Sequence, residues 1–505
     1  MSHVAFQPDG QDVELEVDYV VVGSGAGGST SAVTLARGGE EVAVVEAGPW
    51  RDPHDYPIST YGAMRDMMDD WGATLARGRA FWPVVQARLV GGTTVINSAI
   101  CVRTPGDIFR QWRRERGVGG DWYAERVWKA QDQIERDLCV EEVPRESLGR
   151  SNELAVEGDR AAGMGGYVMR RYVKGCLGTG QCLQGCRALR KQSTNLNYLP
   201  EVLRRGGHIL SCAPVDRVRF DGHRAIGVEG SFESPDPLAK RKGGARFFVR
   251  ARKGVLVAAS VTHSPRLLRR SGVRNRNLGA GFRAHPGTGV LGCYDDPVDM
   301  NTGATQGWAS TAFRDEPGLK LETLSLPLEL VASRLSGGGH QLMARLGEFR
   351  HLAMWVQATR AESVGRISTV LGKPNVKYSL DRADMLRFRA GMTLVAKMHF
   401  AAGAKAIIPG VHGMPYKLTA DQLSLMESAP LDPRAYVAIM SHLFGGCMMG
   451  RDPRESVCDG DGRVHGYEGL YVSDASSIPT NLGVNPQHTI MGMAQVLAER
   501  LLDRG

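Results

Sequence analysis

The sequence lacks the features that define several large classes of protein. No apolar run approaches the roughly 18 residues that a membrane-spanning helix needs, and there is no internal repeat and no low-complexity tract. The first twenty residues do not place a basic segment before an apolar one. We therefore expect no membrane span, no signal peptide and a cytoplasmic location.

Clustered charge is also missing, although the formal net charge is +8. The 62 Lys and Arg residues are scattered among 54 Asp and Glu residues, and the densest basic stretches, at 187–191 and 240–246, are short. Short basic stretches are typical of solvated loops, so we expect no nucleic-acid partner. Nine cysteines in a chain without a signal peptide likewise argue against a disulfide framework. The composition, 42% hydrophobic and 23% charged, is that of an ordinary globular protein, and 505 residues favour two joined domains.

The stretch YVVVGSGAGGSTSAVTLARGGEEVAVVEAGP, at residues 19–49, predicts a dinucleotide-binding strand–helix–strand unit. Its β-branched start suits a buried parallel strand. Three glycines then complete the G-x-G-x-x-G pattern: Gly23, Gly25 and Gly28. In such a unit the glycines allow a tight turn, the approach of a pyrophosphate, and close packing of helix on strand. Glu46 follows at the end of the second strand, where a carboxylate accepts hydrogen bonds from ribose hydroxyls. The pattern alone does not distinguish FAD from NAD(P).

Further strand, helix and turn signals are spread along the chain. A second glycine-rich element, ARLVGGTTVINSAICVR, spans residues 87–103 and precedes a helical stretch at 107–137. Residues 253–273 again predict a strand, a turn and a helix, and the alternation between 291 and 440 predicts a sheet of short strands. The chain ends with a strand, a loop and a long helix. The nucleotide-binding elements therefore lie at the beginning, middle and end of the chain.

In this order, the blocks resemble the glucose–methanol–choline (GMC) family of FAD-dependent oxidoreductases. The residues that match the family's motifs are Arg88, Gly91, Gly92, Thr93, Thr94, Asn97, Ser264, Pro265, Ser271, Gly272, His442, Gly445, Gly446, Asp474, Ala475, Asn485 and Pro486. The segments HLFGGCMMG and GVNPQHTI are most similar to the cholesterol oxidase and long-chain alcohol oxidase branch. Val261 and Arg274 depart from the family, which usually has a small residue and a glycine at these positions.

The resemblance implies an α/β fold, in which an α+β substrate domain with an antiparallel sheet is inserted into a Rossmann-like FAD-binding domain. The limits that we expect are 1–112, 190–290 and 441–505 for the FAD-binding domain, 113–189 for a lid region with a cysteine cluster, and 291–440 for the substrate-binding domain.

The resemblance also implies which residues surround the FAD. They are Gly23, Gly25, Gly28, Glu46, Arg88, Gly91, Gly92, Thr93, Asn97, Val218, Asp474, Ala475, Pro486 and His488. We expect His488 to pack near the cofactor without taking part in chemistry, and His285 to be structural. Ile96 stands where some members carry a histidine that tethers the flavin, so we expect FAD to be dissociable.

The oxidation of an alcohol needs a hydride acceptor, a base for the hydroxyl proton, and a group that holds the oxygen. The flavin supplies the first. The resemblance places His442 and Asn485 at the family's catalytic pair, His442 as the base and Asn485 as the oxygen-holding amide. Asn485 and Pro486 also predict a helix start, with Asn as the N-cap and Pro at the first helical position. A helix from Pro486 would point its N–H groups at the flavin.

Three cysteines, Cys176, Cys182 and Cys186, form a C-x5-C-x3-C pattern within a glycine-rich loop. The spacing matches that of family members with a three-iron, four-sulfur cluster, although those usually have proline where this chain has Arg187. The alternative is that the cysteines are typical of the family and bind no metal. A cluster would pass electrons to a quinone or a redox protein, whereas without one O2 or a soluble acceptor would reoxidise the flavin.

The region 291–440 is rich in large apolar side chains, which would suit an apolar, aromatic or sterol-like alcohol. These side chains are Trp308, Phe313, Met343, Phe349, Met354, Trp355, Tyr378, Phe388, Met398 and Phe400. Most of them could equally form the core of the domain. The competing function is that of a lyase or photodecarboxylase on the same fold, which would keep FAD without net oxidation. His442 and Asn485 favour the oxidation of an alcohol.

Overall fold

A computed structural model describes residues 2–236 and 244–503 of the chain. Residues 240–243 of the second basic stretch lie outside these ranges. Two large sheets dominate the architecture, with helices packed on both. None of the helices in the described ranges combines the length and the apolar character that crossing a bilayer requires.

The first sheet is built around parallel strands, as the β-branched runs of the sequence predict. Val13–Val22 lies between Val42–Val45 and Arg246–Val257, and every residue of Val42–Val45 is buried. In the described residues the order across the sheet is Ser2–Val4, His208–Leu210, Val42–Val45, Val13–Val22, Arg246–Val257, Arg224–Ser231 and Val215–Asp221, with Leu470–Val472 paired to the end of Arg246–Val257.

The helix Ala26–Arg37 packs against this sheet and against the C-terminal helix Gln487–Leu502. Its approach depends on glycine, because a Cβ on Gly28 would lie 1.9 Å from the carbonyl oxygen of Gly23. A Cβ on Gly27 would lie 1.9 Å from the carbonyl oxygen of Ser473. The other helices are Thr60–Met67, Gly106–Arg116, Asp121–Asp137, Arg150–Ala162, Tyr198–Arg204, Ser264–Arg270, Leu328–Ala332, Gly339–Gly347, Arg382–Ala401 and Ser424–Glu427.

The second sheet is organised around the long strand Ala280–Cys293. Its main path in the described residues is Phe81–Pro83, Leu75–Arg77, Lys373–Lys377, Gly365–Val370, Ala280–Cys293, Leu352–Thr359, Leu319–Thr323, Trp308–Ser310 and Gly166–Val168, and both Ala406–Ile408 and Ile439–Phe444 pair with Ala280–Cys293. Within this part of the chain the pairs are antiparallel, apart from that between Leu75–Arg77 and Lys373–Lys377. A separate small sheet joins Val140–Glu142 to Arg170–Tyr172.

Two features of the second sheet determine where its buried polar side chains lie. The register of Ala280–Cys293 on Ile439–Phe444 sets His285 directly opposite His442. The strand Leu319–Thr323 is buried along its whole length, and its alternation places Lys320 and Glu322 on the same face. The helix Arg382–Ala401 packs over the neighbouring strand Leu352–Thr359.

The predicted fold class, a Rossmann-like domain with a second domain built on a largely antiparallel sheet, is confirmed. The domain limits stay a prediction. The second sheet takes in strands at 75–83 and 166–168, outside the interval 291–440, and its long strand begins at Ala280. Strand pairing is a long-range contact, and the local pattern of these short strands does not reveal their partners.

Candidate active site

The glycine turn at the start of the chain is joined to the second glycine-rich loop by one serine. Ser24 donates through its hydroxyl to Glu46 Oε2 over 2.7 Å, and its backbone N–H donates to the same oxygen over 2.9 Å. The Ser24 hydroxyl in turn accepts from the backbone N–H of Gly91 over 2.9 Å. The two loops and the predicted ribose-binding acid therefore form one connected unit.

Gly25 leaves open space at this unit, and its neighbours do not. A Cβ built on Gly25 would meet nothing within 4 Å, whereas one on Gly23 would lie 2.3 Å from the carbonyl oxygen of Ala258. Gly25 also immediately precedes the helix Ala26–Arg37, whose first N–H groups have no partner within the helix. An open cradle at a helix N-terminus fits a pyrophosphate.

Glu46 is almost fully buried, and burial raises the pKa of its carboxyl group. Hydrogen bonds from Ser24 and from the Gly48 N–H, the latter over 2.8 Å, act in the opposite direction. Arg88, which follows in the second loop region, pairs with Glu233 over 2.7 Å. Its positive charge also favours the ionised form of Glu46.

The second glycine-rich loop is tied to the beginning of the C-terminal helix. Gly91 and Gly92 have φ angles of +95° and +53°, in the region that favours glycine. Thr93 accepts from the Ala87 N–H over 3.2 Å. Asn97 donates from its side-chain nitrogen to Gln487 Oε1 over 2.6 Å, and Gln487 is the first residue of the C-terminal helix.

Asp474, Ala475 and Pro486 hold the loops between the two sheets. Asp474 accepts from the N–H groups of Ser260 and Ser476, each over 2.8 Å, and the carbonyl of Ala475 accepts from the Gly445 N–H. Burial raises the pKa of Asp474. The C-terminal helix begins at Gln487, with Pro486 in the cap position. The expected start at Pro486 is therefore one residue early, and the Asn485 side chain is not the cap.

Two of the predicted cofactor residues have partners away from these loops. His488 is fully buried, with Nδ1 2.7 Å from the Tyr172 hydroxyl and Nε2 3.2 Å from Glu135 Oε1. Val218 lies on the outer strand Val215–Asp221, and its N–H donates to the Ser271 hydroxyl over 2.8 Å.

The predicted catalytic pair is brought together. Asn485 Nδ2 lies 3.4 Å from His442 Nε2, and His442 Nδ1 lies 3.2 Å from His285 Nδ1. Asn485 is buried, whereas His442 keeps part of its surface accessible. Burial and, after it, the charge of Lys320 lower the pKa of His442 to about 3, so that the imidazole is neutral at physiological pH. A neutral imidazole can accept a proton.

Two charged residues that sequence reasoning missed complete this site. Lys320 is fully buried and contacts both Glu322 Oε1, over 2.5 Å, and Asn485 Oδ1. Burial lowers the pKa of Lys320, and the Glu322 carboxylate opposes that change. The sequence did contain an indication of these residues. The segment LKLET, at 319–323, places a lysine and a glutamate at alternate positions of a short strand. Two opposite charges that are buried on one face of a strand need further polar groups there as hydrogen-bond partners.

The three predicted cluster ligands lie around a buried cation. Arg171, fully buried, donates to Cys182 Sγ over 2.9 Å and reaches Cys176 Sγ at 4.0 Å. Burial alone would raise the pKa of the Cys182 thiol, but Arg171 and Lys191 lower it to about 7. The Arg171 guanidinium, a positive charge, therefore already contacts two of the three sulfurs. The residues as they stand, Cys186 included, do not fit an iron–sulfur cluster.

In the described part of the chain, the group of His, Cys and acidic side chains whose ligand atoms all lie within 4.8 Å of one another is Cys101, Glu135 and His488. These side chains already hold one another, because Glu135 also pairs with Arg170 over 2.7 Å and His488 with Tyr172. Their polar groups are satisfied without an ion.

A glycine cradle at a helix N-terminus and a His/Asn pair are the features that the sequence predicted for an oxidoreductase. The chain belongs to the GMC oxidoreductase family, whose N-terminal model matches residues 17–287 and whose C-terminal model matches residues 361–494. It is 33% identical to an uncharacterized GMC-type oxidoreductase of Mycobacterium tuberculosis strain H37Rv, over 96% of this chain and 75% of that protein.

Two further comparisons agree with this membership. The chain is 26% identical to long-chain-alcohol oxidase FAO1 of Arabidopsis thaliana, over 97% of this chain and 67% of that protein. Its fold resembles the crystal structure of pyridoxine 4-oxidase from Mesorbium loti, with a TM-score of 0.70 and 17% identity, over 96% of this chain and 98% of that one. The resemblance expected from the sequence is confirmed. The protein is an oxidoreductase, and its family supports FAD as the cofactor.

The open space at Gly25 gives a first prediction. Gly25→Ala should leave the free energy of unfolding of the apoprotein within about 0.5 kcal/mol of its original value, because its Cβ meets nothing. The new methyl group would enter the pyrophosphate cradle, so the dissociation constant for FAD should rise about tenfold or more. Denaturant unfolding and flavin titration measure the two effects.

Gly28→Ala is the matched control for this experiment. Its Cβ would clash with the Gly23 carbonyl, so the apoprotein should lose about 1–3 kcal/mol or more of stability. A Gly25→Ala protein that holds FAD as tightly as the unaltered chain would show that the cradle is not the pyrophosphate site.

The low pKa of His442 gives a second prediction, about stability. The unfolded imidazole binds a proton below about pH 6.5, whereas the folded one does so only near pH 3. Stability is therefore lost as the pH falls from 6.5 towards 3, by up to about 1.4 kcal/mol per pH unit for this residue. Melting temperatures between pH 7 and pH 4.5 should fall less steeply in His442→Gln. The exposed His340→Gln should leave the slope unchanged, and equal slopes in all three proteins would contradict the assignment.

Proposed function

We propose that the protein oxidises the CH–OH group of an alcohol to an aldehyde or ketone, with FAD as the hydride acceptor. The observation on which this rests is the meeting of His442 Nε2 and Asn485 Nδ2, 3.4 Å apart, just before the C-terminal helix. The same helix holds the second glycine-rich loop through Gln487 and Asn97. The reactive pair is therefore attached to the elements that would hold the cofactor.

FAD, when bound, would accept the hydride at N5 of its flavin ring. His442 would take the hydroxyl proton of the substrate at Nε2, and Asn485 would donate from Nδ2 to the substrate oxygen. The accessible part of His442 supports this role, since a base must meet its substrate. The buried amide of Asn485 supplies a donor that does not titrate.

We propose an apolar alcohol as the substrate, on the strength of the relative named as a long-chain-alcohol oxidase. The large apolar side chains of region 291–440, which the sequence offered as a lining for such a substrate, give this proposal little support. Trp355 stacks on His399 with ring centroids 3.8 Å apart, and Phe388 stacks on Trp82 at 5.9 Å, so both belong to the core. Met343 is 65% exposed.

We also propose that FAD is held without a covalent bond, because the position of the tethering histidine is occupied by Ile96, which is 3% exposed. Release of the flavin on acid precipitation would agree with this. The electron acceptor, among O2, a quinone and a redox protein, and the cytoplasmic location stay predictions. Because Arg171 contacts the sulfurs of Cys182 and Cys176, we propose that these cysteines hold no iron–sulfur cluster, and iron analysis of the purified protein tests this.

An anaerobic assay tests the proposed function. The holoenzyme is mixed with a long-chain, an aromatic and a sterol alcohol, and the flavin absorbance is followed while the product is identified. At least one alcohol should bleach the flavin and yield its carbonyl product. Products of elimination or decarboxylation, without net oxidation, would point instead to the lyase or photodecarboxylase function.

The His442→Gln protein provides the matched measurement. Loss of the base should slow flavin reduction by about a hundredfold to ten-thousandfold, with FAD still bound. Near-normal reduction in this variant would remove His442 from the role of base.

A further inference from the structure

The buried lysine of the site makes contacts that determine the orientation of a neighbouring amide. Lys320 lies with its Nζ against both Glu322 Oε1 and Asn485 Oδ1. An ammonium group has donors and no acceptor, so it can face only the oxygen of the Asn485 amide. The amide nitrogen of Asn485 must therefore point the other way, towards His442.

This orientation determines the tautomer of His442. The atom that faces the Asn485 amide nitrogen is His442 Nε2, at 3.4 Å. Since the amide nitrogen is a donor, Nε2 must be the acceptor and carry no proton. The proton of the neutral ring is then on Nδ1, which donates to His285 Nδ1 over 3.2 Å.

The far end of the chain of hydrogen bonds offers the Gly483 N–H an acceptor other than His285. Asn481 donates from Nδ2 to the carbonyl oxygens of Ala284 and Ala361, over 2.9 and 3.0 Å, so its Oδ1 is left as an acceptor. This oxygen accepts from the Gly483 N–H over 3.1 Å. In this arrangement His285, having accepted at Nδ1, carries its own proton on Nε2, which lies beside the Gly483 N–H, and that N–H donates to Asn481 Oδ1 alone.

The opposite arrangement is favourable at Gly483 but unfavourable at Asn485. The Gly483 N–H also lies 3.0 Å from His285 Nε2. If it donated there, His285 would carry its proton on Nδ1 and His442 would carry its proton on Nε2. That proton would then face the Asn485 amide nitrogen, donor against donor, because Lys320 prevents the amide from turning over.

We propose that Lys320 is a positioning residue, which acts through Asn485 to hold His442 in the tautomer that carries no proton on Nε2. Lys320 itself need not touch the substrate. The inference rests on the proposed function for its catalytic meaning, since Nε2 is the atom that would take the hydroxyl proton. Glu322 supplies the counter-charge beside this fully buried lysine and holds its Nζ in place.

The test is the protonation state of the His442 ring, read by NMR of the holoenzyme labelled with 15N-histidine. The resonances of His442 are identified by their loss in His442→Gln. In the unaltered protein the ring should show a protonated Nδ1 and a bare Nε2. A protonated Nε2 in the unaltered protein would overturn the proposal.

Three variants test whether Asn485 and Lys320 determine which nitrogen of the His442 ring is protonated. Asn485→Asp replaces the donor by an acceptor, so Nε2 should become protonated. Lys320→Met combined with Glu322→Leu removes the contact that orients the Asn485 amide, without leaving a lone buried charge. The form of His442 with its proton on Nδ1 should then no longer be the sole species. Lys320→Arg alone keeps donors that can face Asn485 Oδ1, so the form of His442 with its proton on Nδ1 should remain the sole species. Lys253→Met, at an exposed lysine paired with Glu40, is the control and should change nothing.

Flavin reduction by a reactive alcohol gives the second readout. The Lys320→Met/Glu322→Leu protein should reduce its flavin about tenfold to a hundredfold more slowly, with FAD retained and with much less change in KM. A His442 tautomer that is unchanged in both this protein and Asn485→Asp would overturn the proposal, whatever the rates.

The two proposals can fail separately. If no alcohol bleaches the flavin but the NMR results hold, the positioning role of Lys320 stands and the proposed function fails. If alcohols bleach the flavin and the variants leave the tautomer unchanged, the proposed function stands and the role of Lys320 is wrong.

Discussion

The candidate site depends on one strand register. The pairing of Ala280–Cys293 with Ile439–Phe444 sets His285 opposite His442, and a slip of one residue would turn His442 to the other face of the sheet. The neighbouring strands of the same sheet bring Lys320 and Glu322 to the site from a distant part of the chain. The second sheet is therefore a frame that holds polar side chains in fixed positions as well as a cover for the cofactor domain.

Close backbone contacts join this frame to the nucleotide-binding unit. Gly28 allows the first helix to touch the glycine turn, and Gly27 allows it to touch the loop that precedes Asp474. Asn97 and Gln487 then connect the second glycine loop to the C-terminal helix. Because Asn485 lies two residues before that helix, a cofactor bound at the loops and the reactive pair would be held by the same contacts. Rigid mutual placement of this kind is what hydride transfer requires.

The interior of this protein holds charged side chains, and two of them, Lys320 and Arg171, have partners of matching kind. Lys320 faces Glu322 and an amide oxygen, and Arg171 faces sulfur atoms and a backbone carbonyl. Such groups cost free energy to bury unless their hydrogen bonds are satisfied. The surrounding strands satisfy them, so that orientation, and with it the choice of donor and acceptor, is built into the fold.

The local pattern was enough to predict the glycine cradle with Glu46, because turn, helix and strand signals there lie within thirty residues of one another. The resemblance of whole blocks identified His442 and Asn485. Neither could reveal that Lys320 contacts Asn485 or that Arg171 lies among the cysteines. No local pattern in the sequence indicates which residues these side chains contact. The sequence by itself determined the family, and it predicted the dinucleotide cradle and the reactive pair. Only the tertiary structure decided which atom of each polar side chain faces which, because hydrogen-bond direction depends on partners brought together by strand pairing.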